Sequence, residues 1–161
     1  MASRGNRDNW NAIDPNFIID EKGKPWMTWG SFWDGIQLIP LDKTMHPKKG
    51  AKPQTIARRH AVGDASAEPN PTSKFAGTNA IEAPFIKRHG GYYYLFVSWD
   101  YCCRGIKSNY RVAVGRSKNV AGPYLDRDGK PMLEGGGTLL LEGDKKEYEA
   151  LGHCSAYHFP D

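Results

Sequence analysis

Long apolar runs are missing from this sequence of 161 residues. No stretch approaches the roughly 20 apolar residues that a membrane-spanning helix needs, so no membrane partner is expected. Cysteine is scarce, with only Cys102, Cys103 and Cys154. Their spacing fits neither a zinc site nor a dense disulfide framework. Adjacent cysteines rarely bridge one another, so these residues read as small buried hydrophobes. Nothing in the sequence suggests an activating partner for a catalytic thiol. An excess of one charge is lacking too: 22 Lys+Arg against 18 Asp+Glu leave a mild +4. The one dense basic stretch runs from Lys48-Lys49 to Arg58-Arg59 among prolines, glycines and polar residues. It reads as a solvated loop, and no nucleic-acid partner is expected. Met1 to Asp8 are polar and have no apolar core, so they do not read as a signal peptide.

Aromatic and turn-forming residues are plentiful. Five Trp, eight Tyr, 18 Gly and 11 Pro suit an all-β protein with many tight connections. A repeat organises them. Asn11-Ala12-Ile13-Asp14-Pro15 leads into Phe17-Ile18-Ile19, a polar turn, an aromatic strand from Pro25 to Phe32 and a third strand from Gly35 to Leu41. Asn79-Ala80-Ile81-Glu82-Ala83-Pro84 leads into Phe85-Ile86-Lys87, the turn His89-Gly90-Gly91, an aromatic strand from Tyr92 to Trp99 and a third strand from Tyr110 to Arg116. Another unit opens near residue 150, at Gly152-His153. Repeats starting near 11, 79 and 150 predict four-stranded antiparallel sheets arranged as a propeller. The long stretch from Lys43 to Thr78 has poor periodicity and is expected to be partly irregular, around the channel mouth or an outer edge.

Asp14, Glu82 and His153 occupy matching places in these repeats. The first strand of a propeller blade lines the central channel, so the three side chains are expected to converge near the axis. A carboxylate on a crowded inner strand costs several kcal/mol unless it is paired or solvated. Capping of the turns before Pro15 and Pro84 accounts for either residue alone but poorly for both. Paired carboxylates suit glycoside hydrolysis, in which one donates a proton to the leaving oxygen and another assists attack.

The two Asn-Ala-Ile motifs resemble the inner-strand motifs of family-43 glycoside hydrolases, and most of all those of the endo-α-1,5-L-arabinanases. Gly30-Ser31-Phe32-Trp33, Cys102-Cys103-Arg104-Gly105, Val114-Gly115-Arg116-Ser117, Gly135-Gly136-Gly137-Thr138 and Gly152-His153 fit the same family in the same order. The resemblance implies a five-bladed β-propeller acting on arabinan or arabino-oligosaccharides. It implies that Glu82 is the general acid, and that Asp14 raises the acid's pKa and holds it in position. Asn11, Ala12, Ile13, Asp14, Ser31, Phe32 and Trp33 match substrate-contacting positions, and Trp33 is able to stack on a sugar ring. His153 matches an axial histidine that helps to hold a metal ion, usually calcium, through water.

One departure counts against a complete enzyme. Family members invert the anomeric centre and need a third carboxylate, an Asp on a first blade upstream of the first Asn-Ala-Ile motif. Only ten residues precede Asn11, and Asp8 lies too near Asp14 to replace it. The chain therefore reads as about two blades and the start of a third, without the first and last blades. Alone, it is expected to be inactive and to self-associate or to need a complementary propeller fragment. Two other readings are a non-catalytic carbohydrate-binding or assembly module, and an exo-acting arabinofuranosidase or xylosidase of the same family. The resemblance also implies a secreted or periplasmic parent.

Overall fold

The computed structural model describes residues 9–67 and 78–159. Met1 to Asp8, part of the stretch from Lys43 to Thr78, and the last two residues lie outside these ranges. Eight strands form two antiparallel meanders. β1 (Asn16–Ile19), β2 (Pro25–Trp29), β3 (Ile36–Pro40) and β4 (Gln54–Ala57) make the first sheet in chain order. β5 (Ile81–His89), β6 (Tyr92–Trp99), β7 (Arg111–Ser117) and β8 (Thr138–Glu142) make the second. These are the expected four-stranded units, stacked as successive blades of a propeller.

Local chemistry explains the register. Gly90 and Gly91 both have positive φ, 54° and 76°, and join β5 to β6 with His89 opposite Tyr92. Two consecutive left-handed residues match the twist of a tight hairpin. In β6 the alternation is plain: Tyr93, Leu95 and Val97 are buried, whereas Tyr92, Tyr94 and Phe96 are only half-buried. In the β1–β2 turn, Asp20 accepts hydrogen bonds from the backbone N–H groups of Lys22 and Lys24 and from the Trp26 indole. The carboxylate thereby replaces ladder bonds that the turn cannot make.

One apolar core joins the sheets. Ile36 and Leu38 of β3 and Ile56 of β4 pack with Ile81, Leu95 and Val97 of the second sheet. Each fully buried aliphatic side chain stabilises this contact by about 1.5–3 kcal/mol. Gly35 sits where the start of β3 passes close to the end of β4. Its φ is 89°, and a Cβ there would collide with the carbonyl oxygen of Ala57. Gly35→Ala is expected to destabilise the fold by about 1–3 kcal/mol or more, because left-handed strain adds to a backbone clash. Thermal melting of the two proteins checks this; an unchanged midpoint would refute it.

The structure corrects two expectations. Cys102 and Cys103 are bridged to each other, with Cys103 exposed and Cys102 half-buried, so they are not buried reduced side chains. The bridge sits in a loop between β6 and β7, where tight turns bring adjacent sulfurs together. The basic stretch is also not uniformly a solvated loop. Lys48 and Lys49 are exposed, but Arg58 and Arg59, just after β4, form ion pairs with Asp34 and Asp100. Asp100 is buried and held by Arg111 as well, and paired charges of this kind are tolerated where solitary ones are not.

Candidate active site

The backbone is locally strained just before β1, within β5 and after β8. Asp14, Ala83 and His153 all have left-handed backbones, with φ of 55°, 50° and 51°. Such values are uncommon for residues other than glycine. Asp14 precedes Pro15 and Ala83 precedes Pro84, so the backbone aligns Asp14 with Ala83 rather than with Glu82. A register shift between Glu82 and Phe85 accommodates the extra residue of the second motif. Side chains at adjacent strand positions point to opposite faces. The one-residue offset therefore gives Glu82 surroundings different from those of Asp14.

Glu82 is held by two hydroxyl donors. Ser31 Oγ donates to Oε2 at 2.7 Å, and Tyr110 Oη donates to Oε1 at 2.6 Å. Asp14 Oδ2 accepts the Ala83 backbone N–H at 3.1 Å. Burial raises the Asp14 pKa above its ordinary value, the charge of Glu82 raises it further, and His153 and the Ala83 N–H oppose the rise. Burial also pushes the Tyr110 phenol far up, helped by its bond to Glu82, so it remains a donor at neutral pH. Asp14 and His153 line one groove of about 450 Å³ together with Asn16, Phe85 and Cys154. Glu82 faces Ser31 and Tyr110 instead, one residue away from the groove lining at Ala83.

The other expected contact residues surround this pair unevenly. Asn11 and Ala12 are half-buried, while Ile13 is exposed and its carbonyl accepts the Gly30 N–H at 3.0 Å. Phe32 and Trp33 are half-buried and left-handed, with φ of 55° and 44°. The Phe32 N–H donates to the Ile81 carbonyl at 2.9 Å, and Asn79 Nδ2 donates to the Trp33 carbonyl at 3.0 Å. The aromatic turn is thus tied to the Glu82 strand. The Phe32 ring lies 6.0 Å from that of Tyr101. Nothing in the sequence marks a role for Tyr110 or Ser98. Ser98 pairs with Glu82 across β5 and β6, and its hydroxyl oxygen accepts the His153 N–H at 2.7 Å. No repeated motif marks either residue; only strand register reveals them.

Among the described residues, no three His, Cys, Asp or Glu side chains gather as a metal site. His153 and Asp14 supply two groups to the groove, whereas calcium prefers six to eight oxygen ligands. The described side chains do not by themselves form a calcium site.

Two stacked four-stranded meanders, each with a carboxylate at or just before its first strand, are blades of a β-propeller. The chain belongs to glycosyl hydrolases family 43, whose family model matches residues 2–161. It is 58% identical to an exo-1,5-α-L-arabinanase from a bovine ruminal metagenomic library, with a TM-score of 0.82 over 95% of this chain and 47% of that one. It is 44% identical to the α-L-arabinanase of Cellvibrio cellulosa in complex with arabinohexaose, with a TM-score of 0.83 over 98% of this chain and 48% of that one. The extracellular endo-α-(1→5)-L-arabinanase 1 of Bacillus subtilis (strain 168) is 45% identical over 137 residues, which are 85% of this chain and 38% of the relative. The chain spans about half of these relatives' length or less.

Proposed function

We propose that this chain carries the acid half of an inverting glycoside hydrolase acting on α-1,5-linked L-arabinan. The observation that carries the reading is Glu82, gripped by Ser31 and Tyr110 beside the half-buried Asp14. Glu82 protonates the departing glycosidic oxygen. Asp14 places a second carboxyl beside the acid and fixes the strand by accepting the Ala83 N–H. Trp33 and Phe32 offer apolar faces to the sugar, with Asn11, Ala12 and Ile13 on the other motif. Asp34 and Asp100 are engaged by arginines and are poorly suited to act as the base. The water-activating carboxylate is proposed to come from outside the described residues. Extracellular action of the parent is supported by the name of the Bacillus subtilis relative. A calcium ion at His153, held mostly by water, belongs to the same proposal.

A second reading, exo action on the same linkage, is supported by the 58% identity to the exo-acting arabinanase. One experiment separates the readings. The full-length protein is incubated with debranched arabinan, and its products are sized with and without a chelator. Mixed oligosaccharides early in the digest indicate endo action, and one short product indicates exo action. Binding without release indicates a carbohydrate-binding module. Activity indifferent to a strong chelator would remove calcium from the proposal.

A further inference from the structure

We infer that Tyr110 is a positioning residue for the acid: it holds Glu82 in its working rotamer and, by donating its O–H, stabilises the negative charge left on that carboxylate as the proton departs. The inference rests on the reading of Glu82 as the general acid. Tyr110 is 6% exposed and lies at the end of the loop leading into β7. Two contacts with the segment after β8 fix its orientation. Its carbonyl accepts the Leu151 N–H at 2.9 Å. A Cβ at Gly152 would fall within its ring, so the chain passes directly over the ring face.

Tyr110 is thereby anchored by the segment at Leu151 and Gly152 while its O–H donates to Glu82 Oε1. The charge balance of the step explains the use of that donor. Glu82 gives its proton to the glycosidic oxygen as the carbon–oxygen bond breaks, and the carboxyl becomes a carboxylate. Two fixed O–H donors, Ser31 and Tyr110, already point at the oxygens where that charge develops. Preorganised donors aimed at developing charge act through the transition state more than through substrate binding.

Tyr110→Phe keeps the ring beneath Gly152 and removes only the donor. In the full-length protein, kcat on linear arabinan is expected to fall about 10- to 100-fold, with KM changed less than about twofold. On an aryl arabinofuranoside whose leaving group departs without a proton, the loss should stay below about threefold. Added to Glu82→Gln, Tyr110→Phe should cause no further loss on arabinan, because the group it serves is already gone. Equal losses on both substrates, or additive losses in the double variant, would show a merely structural role and overturn the inference. A second measurement is independent of turnover. Crystal structures should show one Glu82 rotamer in the parent and more than one in Tyr110→Phe. An unchanged single rotamer in the variant would also overturn the inference. If the parent cleaves neither substrate, the arabinanase reading fails, and the rotamer comparison still decides whether Tyr110 positions Glu82.

Discussion

Glu82→Gln is expected to lower hydrolysis of linear arabinan by the full-length protein by about 10²- to 10⁴-fold, the usual contribution of a general acid. The amide matches the carboxyl in size but has no acidic proton to give. The fold should survive, because the glutamine oxygen still accepts from one hydroxyl and its amino group is able to donate to the other. Both partners, Ser31 and Tyr110, are hydroxyls that donate or accept by rotating a single bond. An activated aryl glycoside should be hydrolysed far better than arabinan by this variant, since its leaving group needs no proton. The same substitution has a second, non-catalytic consequence. The charge of Glu82 is the second cause holding the Asp14 pKa up, after burial. Removing that charge should let the Asp14 pKa fall, which carboxyl-carbon NMR titration of both proteins measures. Full activity on unactivated arabinan, or an Asp14 titration that does not move, would defeat this account of the pair.

The parts of this picture that were legible in the sequence are those written as repeats. Asn-Ala-Ile followed by a carboxylate, twice, gave the strand order and brought Asp14 and Glu82 together. Alternation in Tyr92–Trp99 and the Gly90-Gly91 hairpin set their register without any tertiary information. The β4 strand was hidden, because its four residues lie in a long polar stretch and gain their order only by pairing with β3. The Cys102–Cys103 bridge was hidden by the general rarity of such links. Arg58 and Arg59 looked like solvated charges because Asp34 and Asp100 are distant in sequence. Tyr110 and Ser98 were invisible for a related reason: their role depends on which way a side chain points across a bulged ladder. The bulge also altered the expected equivalence of Asp14 and Glu82. Matching letters aligned the two carboxylates, whereas matching φ aligns Asp14 with Ala83.

Asp14→Asn is expected to do two opposite things, losing activity while gaining stability. Activity on arabinan should fall by about 10²-fold or more, because the fixed negative charge beside the acid is gone. The stability gain follows from the direction of the Asp14 shift. Its pKa in the folded protein is raised above the ordinary 3.8, chiefly by burial and then by Glu82. The folded state therefore binds this proton more tightly than the unfolded chain does. Its benefit is fully present below pH 3.8 and is lost as pH rises through the folded value. At neutral pH the ionised carboxyl is thus a net burden on the fold. Asparagine removes the charge, still accepts the Ala83 N–H, and tolerates a φ of 55° better than most residues. Because the site is partly solvated, the gain should be at most about 1 kcal/mol, or roughly 2–4 °C in melting temperature. It should appear at pH 7 and vanish below pH 3.8, so paired melts across that range give the test. A variant that is less stable at pH 7, or equally altered at both ends, would show that Asp14 is held for packing and not against its electrostatic preference.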